Sequence, residues 1–166
     1  MNRLLSNFKK ASVAKKAFSI VAMLIAVSWA MTKMLGFQFA YDSQNSSCLD
    51  FTFSIIRQDK DHQFQAGEIL AFHPENLLSE QFNGALLGKL VVGIAGDELN
   101  ASSAGIYIND KKILSDFDLA EPIFIYSGKI PQGSYFAIGT AKGSYDSRYF
   151  GFIPQTSIYG VVHPIY

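Results

Sequence analysis

The hydrophobic pattern divides the chain into one long apolar segment near the amino terminus and many short apolar runs after it. Residues 17–32 carry no charged side chain, and the apolar character continues for several residues beyond Lys33. A bilayer-spanning helix needs about 20 apolar residues, so the segment predicts a transmembrane anchor over residues 17–37. Residues 1–16 are basic and contain no acidic side chain, so they are expected to stay cytoplasmic. Residues 38–166 are then expected on the opposite side of the membrane from the amino terminus.

A cleaved secretory signal peptide is the alternative for the same segment. Its apolar region would span residues 17–27, and cleavage would follow the small residues Ser28 and Ala30. Trp29 is an awkward neighbour of such a cleavage site, and the apolar pattern does not stop at Ala30. The retained anchor is therefore favoured, and both alternatives place the rest of the chain on the same side of the membrane.

Beyond residue 37, short apolar runs alternate with Gly, Pro, Asn and Asp, which is the pattern of strands and turns. No long amphipathic helix is indicated there, so the chain is predicted to form an all-β domain. A β-hairpin is predicted around residues 109–111, a loop over residues 100–105, a looser region over 115–132, and a short helix or loop over 75–83. Strands are predicted at residues 51–56, within 66–72, and at 89–92, 106–108, 112–114, 134–139 and 157–162.

Charge and cysteine content narrow the classes of function. The 166 residues have a net charge of zero, but all 14 acidic side chains follow residue 37. The basic residues near the amino terminus flank an apolar segment, so a nucleic acid partner is not expected. The single cysteine, Cys48, excludes an intrachain disulfide and a cysteine-based zinc motif. The three histidines are scattered, and neither a metal nor a cofactor is predicted.

Lys89 stands at the head of the apolar run Leu-Val-Val, which is followed by a glycine-rich turn at residues 93–97. A lysine on such a strand either extends its amine to water or buries the amine in its neutral form. A neutral buried lysine can act as a general base. From the residues alone the amine that extends to water is favoured, because long charged side chains are rarely fully buried.

Candidate nucleophiles cluster just before and within the first predicted strand. Ser47 is the main candidate, and Ser46, Ser54 and Cys48 are alternatives. A serine hydroxyl is a weak nucleophile that needs an adjacent base. No histidine lies in a recognisable motif, whereas a neutral lysine in apolar surroundings can serve as that base.

Four segments, in this order along the chain, resemble the sequence boxes of the type I signal peptidase family, which are membrane-anchored Ser/Lys proteases. They are Ser-Cys-Leu-Asp at residues 47–50, Ala-Gly-Glu-Ile-Leu-Ala-Phe at 66–72, Gly-Lys-Leu-Val-Val-Gly-Ile-Ala-Gly-Asp at 88–97, and Ser-Tyr-Asp-Ser-Arg-Tyr-Phe-Gly at 144–151. The likeness covers residues 45–166. The small size and the divergent boxes resemble most the TraF-type peptidases of conjugative transfer, which mature pilin subunits.

The resemblance implies a signal-peptidase-like antiparallel β-domain and a role for each matching residue. It places the nucleophile at Ser47, the general base at Lys89, an oxyanion donor at Asn45, a residue that orients the lysine amine at Ser144, and a supporting ion pair at Asp146 and Arg148. It also implies small substrate side chains at the first and third positions before the cleaved bond. The implied chemistry needs no metal or cofactor.

The chain departs from the family pattern near both ends of the implied site. Asp50 and Ala95 stand where the family has prolines, and Leu90 stands where an arginine often follows the lysine. The last box is one residue shorter between Gly139 and Arg148. These departures put the usual substrate preference in doubt, but they remove neither Ser47 nor Lys89.

The expected protein is a single-pass serine endopeptidase of the bacterial inner membrane, with a cytoplasmic amino terminus and a periplasmic catalytic domain. Its expected partners are membrane lipid and an exported precursor, whose signal or leader peptide it removes. Conjugative pilin maturation, with a linear or a cyclic product, is the favoured process. The alternative is a catalytically inactive, membrane-anchored β-domain that scaffolds a secretion or pilus assembly.

Overall fold

The computed structural model describes residues 2–41, 48–74, 77, 82, 84–114, 124–141 and 143–166. The chain divides into two compact units, Met1–Phe37 and Gln38–Tyr166. Asn45 and Ser47, and nearly all of the 75–83 segment predicted as a helix or loop, lie outside the described residues.

The first unit is one helix, α1, which spans Asn2–Met34. The helix ends at Met34, and Gly36, two residues later, has a φ of 70° in the left-handed region that commonly closes helices. Among the residues that the structure describes, no helix combines the length and the apolarity needed to cross a membrane. The transmembrane anchor over residues 17–37 therefore stays a prediction.

The second unit consists of two β-sheets with one short helix. The sheet order is β1-β2-β11-β3-β4-β9-β10 in the larger sheet and β7-β6-β5-β8 in the smaller one. The strands are β1 Phe37–Tyr41, β2 Phe53–Gln58, β3 Ile69–Phe72, β4 Leu87–Gly93, β5 Glu98–Ser102, β6 Gly105–Ile108, β7 Lys111–Leu114, β8 Tyr126–Lys129, β9 Ser134–Ile138, β10 Ile153–Pro154 and β11 Ile158–Ile165; helix α2 spans Ser147–Phe150, and a 3₁₀ helix spans Gln155–Ser157.

Strand pairing in both sheets is antiparallel wherever its register is described. In the larger sheet β4 pairs with β3 and β9, so that Lys89 lies opposite Leu70 and Val91 lies opposite Ala137. The sequence predicts an all-β domain, and the described residues form a mostly β domain with antiparallel sheets and the short helix α2, so the prediction is confirmed in this coarser form. Lys89 thus lies on an interior strand, between two hydrogen-bonded neighbours.

Strand β9 is buried on both faces and joins the two hydrophobic cores. Its side chains alternate, because successive residues of a strand point to opposite faces. Tyr135 and Ala137 pack in the core of the larger sheet. Phe136 and Ile138 pack with residues of the smaller sheet, such as Leu99. The residues that follow β9 are therefore held by both cores.

Several sequence predictions of local structure are confirmed, and two are wrong. The hairpin turn at Asn109 and Asp110 has φ values of 50° and 62°, as a two-residue type I′ turn requires. The predicted loop at 100–105 overlaps β5. Of the looser region at 115–132, residues 115–123 lie outside the described residues, and the described part contains β8. Both strands carry polar or glycine residues at more than half of their positions, and pairing in the smaller sheet, rather than apolar composition, orders them.

Glu68, at the turn before β3, supports a testable prediction about how the stability of the fold depends on pH. Partial burial raises its pKa, but the backbone N–H of Gln65, 2.7 Å away, and contact with His62 outweigh this effect and lower the pKa below its usual 4.5. A lowered pKa means that the ionised carboxylate stabilises the fold above the unfolded-state pKa, and that this stability is lost as the pH falls through the folded-state value.

Glu68→Gln is therefore expected to lower the melting temperature at neutral pH, with the difference shrinking as the pH falls below about 4.5. Thermal melts between pH 3 and 8 would measure this dependence. The control is Glu98→Gln, because Glu98 is exposed at the start of β5. A Glu68→Gln difference that is constant across pH would contradict the prediction.

Candidate active site

Lys89 is a buried lysine whose amine has a single described side-chain partner. Its side chain is 2% exposed, and it lies on the same face of β4 as the fully buried Val91. The Nζ atom donates a hydrogen bond of 2.7 Å to Oγ of Ser144. Of the two alternatives left open by the sequence, the amine that extends to water is therefore wrong.

Gly139, directly after β9, allows Ser144 to reach the lysine. A Cβ atom at Gly139 would overlap Oγ of Ser144 and would lie 2.7 Å from the carbonyl oxygen of Cys48. That carbonyl accepts a hydrogen bond of 2.8 Å from the backbone N–H of Thr140. Three backbone segments, around residues 48, 139 and 144, therefore converge on Lys89.

Asp146 and Arg148 form a buried ion pair behind Ser144. Two nitrogens of the Arg148 guanidinium donate to the two carboxylate oxygens of Asp146, at 2.7 and 2.6 Å. The carboxylate also accepts from the backbone N–H of Gly139, at 2.7 Å, and caps helix α2 through the N–H of Arg148. Arg148 in turn donates to the carbonyl oxygen of Ser144, at 3.0 Å. The pair thus fixes the backbone on both sides of the contact with Lys89.

A mostly apolar cavity of about 220 Å³ opens beside Lys89. Its lining brings together β1, β2, β4, β11 and the segment that begins at Cys48. The lining residues are Ala40, Tyr41, Cys48, Leu49, Phe51, Thr52, Ser54, Ile56, Leu86, Leu87, Gly88, Lys89 and Val162. A second cavity, of about 360 Å³, lies beyond Leu49 and Phe51 and is lined by Glu68 and Leu90 among others.

The structure brings together four of the six predicted site residues. Lys89 contacts Ser144, and Asp146 contacts Arg148. Ser47 and Asn45 lie outside the described residues, although Cys48, which is bonded to Ser47, lines the cavity that contains Lys89. The roles of all six residues stay predictions. In the described part of the chain, no group of His, Cys, Asp and Glu side chains is arranged to hold a metal ion.

Sequence reasoning missed three residues that shape this site. Gly139 admits Ser144, Gly88 lines the cavity, and Ser147, fully buried, accepts a hydrogen bond of 3.0 Å from the backbone N–H of Ala137. The sequence signal for the two glycines was their position inside or directly after an apolar strand, at a point where the neighbouring residues do not indicate a hairpin turn. Ser147 had a signal in its place between Asp146 and Arg148.

Comparison with known proteins identifies the family. The sequence pattern of the family described as "Signal peptidase, peptidase S26" matches residues 11–166. The chain belongs to this family. The signal peptidase membership that was inferred from four short segments is thereby confirmed, whereas the TraF-type subtype is not shown.

Individual signal peptidase relatives are similar over part of the chain. A "Probable signal peptidase I-2" of Synechocystis sp. is 33% identical over 99 residues, which cover 58% of this chain and 45% of that protein. A "Signal peptidase I" of Leptolyngbya laminosa is 28% identical over 99 residues, covering 57% and 48%. The chain thus spans about half the length of these relatives. A crystal structure of a signal peptidase I from Enterococcus faecalis V583 is 25% identical, with a TM-score of 0.43, and covers 61% of this chain and 98% of that one.

Proposed function

We propose that this chain is a serine endopeptidase that cleaves signal peptides from exported precursors, with Ser47 as the nucleophile and Lys89 as the general base. One observation carries the proposal: Lys89 is buried on an interior strand and lines a cavity that Cys48 also lines. Ser47 directly precedes Cys48 in the chain, and this adjacency supports Ser47 as the nucleophile that Lys89 serves.

The proposed reaction begins when neutral Lys89 takes the proton from Ser47 as the serine Oγ attacks the scissile carbonyl. The backbone N–H of the nucleophile and the side-chain amide of Asn45 stabilise the oxyanion, and one such donor contributes about 3 kcal/mol in other hydrolases. The leaving amine then takes the proton from Lys89, and an acyl-enzyme remains. Water, activated in the same way, releases the acyl group.

Ser144 is proposed to set the direction of the lysine lone pair. A neutral amine has two N–H donors and one lone pair, so the hydrogen bond to Oγ of Ser144 fixes how the amine is rotated. The Asp146–Arg148 pair supports this arrangement through its hydrogen bond to the Ser144 carbonyl. Asp146 and Arg148 thus act through Ser144 and not on the substrate.

Anchoring and substrate class are further parts of the proposal. The apolar side chains on α1, such as Phe18 and Leu24, are exposed within their own unit, which supports a role of residues 17–37 as an inner-membrane anchor with the β-domain in the periplasm.

The resemblance to TraF-type peptidases makes pilin precursors the second class of substrate to test. Attack on the acyl-enzyme by a peptide amine in place of water would give a cyclic or joined product.

The decisive experiment is co-expression with a secreted precursor and, separately, with a pilin precursor, followed by intact-mass analysis. The wild type is expected to shorten a precursor, whereas Ser47→Ala and Lys89→Ala leave it intact. A product that is one water lighter than the linear fragment indicates cyclisation.

Ser54→Ala distinguishes the two candidate nucleophiles, because Ser54 lines the same cavity. Loss of cleavage in Ser54→Ala together with retained cleavage in Ser47→Ala would assign the attack to Ser54. Equal behaviour of all variants on several precursors would favour the inactive scaffold.

A further inference from the structure

The second cavity, of about 360 Å³, is separated from the candidate active site by a shared wall. Leu49, Phe51 and Val162 line both cavities and so form that wall. On β4, Lys89 lines the cavity of about 220 Å³, and the next residue, Leu90, lines the second cavity. The second cavity is thus a direct neighbour of the candidate site that the proposed reaction does not use.

The second cavity combines apolar walls with a negatively charged edge. The apolar side chains that line it are buried or half-buried, among them Leu49, Ile69, Leu90 and Val162. The carboxylates at its edge belong to Asp50, which is exposed, and to Glu68, which is 35% exposed. The described residues that line the cavity include no lysine or arginine. Long cationic side chains lay their apolar stems against apolar surface and keep the charged end near water, so the cavity suits a side chain of this kind.

The two carboxylates have the capacity to bind a further cation. Partial burial raises the pKa of Glu68, but a backbone N–H and contact with His62 outweigh this effect and lower the pKa, so Glu68 is ionised at neutral pH. A carboxylate offers about four acceptor positions, and the contacts of Glu68 do not use all of them. Within the described part of the chain, no lysine or arginine pairs with Asp50. The other titratable side chains that line the cavity are His163 and Tyr166.

We propose that the second cavity binds a lysine or arginine side chain of the precursor, within about three residues of the cleaved bond. The inference rests on the proposed function, because Lys89 then places the cleaved bond next to the shared wall. Thr140, which lines the second cavity, donates a hydrogen bond of 2.8 Å to the carbonyl oxygen of Cys48, which lines the first. Three extended residues span about 10 Å, so few residues separate the cleaved bond from the cavity. The substrate class is accordingly a precursor with a basic residue beside its cleavage site.

The experiment compares kcat/KM for precursor peptides that carry lysine, norleucine or glutamate at each of the three positions before and the three positions after the cleaved bond. Norleucine keeps an apolar stem and removes the charge. At one position the lysine peptide is expected to exceed the norleucine peptide at least about threefold, since an exposed ion pair changes binding by up to about fivefold. The glutamate peptide is expected to be the slowest there. Salt at about 1 M is expected to remove most of the lysine preference, because it shortens the Debye length to about 3 Å.

Variants of Asp50 test whether the charge at the edge of the cavity is the cause. Asp50→Asn is expected to reduce the ratio of lysine to norleucine peptide at least about twofold, with the norleucine peptide itself unchanged. Asp50→Lys is expected to reverse the preference, so that the glutamate peptide exceeds the lysine peptide at the same position. Asp110→Asn and Glu98→Lys are the controls, because both residues are exposed at the smaller sheet, and they are expected to change no ratio. A wild type without a lysine preference at any position, or a preference that survives Asp50→Lys, would overturn the inference and leave the proposed function intact.

Binding to Ser47→Ala protein keeps the inference testable without cleavage. By calorimetry, one of the lysine peptides is expected to bind this variant at least about threefold more tightly than it binds Ser47→Ala/Asp50→Lys, whereas the matching norleucine peptide binds both proteins alike. If binding follows this pattern but the wild type cleaves nothing, the assignment of the second cavity stands and the proposed function falls. If all lysine and norleucine peptides bind alike in both proteins, the assignment of the second cavity is overturned.

Discussion

Replacement of Lys89 with methionine is expected to give a folded protein that cleaves precursors at least about 10³-fold more slowly than the wild type. General acid–base groups typically contribute about 10²- to 10⁴-fold, and a nucleophile that depends on one base loses most of its activity with it. Methionine suits the position because it has similar length and no charge to bury. Single-turnover kinetics on the precursor that the wild type cleaves would measure the loss.

Two observations keep the Lys89 prediction open to contradiction. Lys129→Met is the matched control, because Lys129 is an exposed lysine on β8 and its loss should leave the rate unchanged. A folded Lys89→Met protein with more than a tenth of the wild-type rate would remove Lys89 from the role of base.

The elements predicted best from the sequence are those whose residue types suit the environment in which they lie. The β4 run after Lys89 is apolar, is closed by a glycine turn and lies on an interior strand of a sheet, with Val91 buried and Leu90 and Val92 partly buried. The hairpin turn at Asn109 and Asp110 uses residues that tolerate positive φ. Local pattern and tertiary environment favour the same structure in both cases.

The sequence predicted poorly the elements that depend on distant partners. Strand β5 alternates polar residues, such as Asn100 and Ser102, with its buried residues, and it is ordered by β6 and β8 on either side. Helix α2 has only four residues and is begun by the Asp146 carboxylate, so it has no hydrophobic period to detect. Such elements owe their structure to pairing and capping, which a local hydrophobic pattern does not encode.

For the candidate site, the sequence identified residue types but not contacts. Lys89 and Ser144 are 55 positions apart, and only the pairing of β4 with β9 brings the segment after Gly139 to the lysine. The family resemblance implied the role of each residue. The structure added that the lysine amine is buried and that backbone segments converge at Gly139. The cavity beside Gly88 had no sequence signal, because its volume is set by residues from four strands and one loop.

Arg148→Ala is expected to destabilise the β-domain by about 3 kcal/mol, at the lower end of the range for breaking a buried ion pair. Asp146 is fully buried and Arg148 is 3% exposed, so the variant leaves an uncompensated carboxylate inside the protein. The backbone N–H of Gly139 still donates to that carboxylate, which limits the loss. A fall of roughly 10 °C in melting temperature is expected for a domain of this size.

Arg57 and Asp59 form a matched control for this prediction. This pair has the same spacing and a similar distance, 2.7 Å, but its side chains are 36% and 29% exposed. Solvent screens such a pair, so Arg57→Ala is expected to cost less than about 1 kcal/mol. The double variant Asp146→Ala/Arg148→Ala should lose less than the sum of the two single losses, because each single change strands the other charge. Equal losses in Arg57→Ala and Arg148→Ala would mean that burial does not set the strength of the Asp146–Arg148 pair, and that Ser144 is held against Lys89 by the surrounding backbone alone.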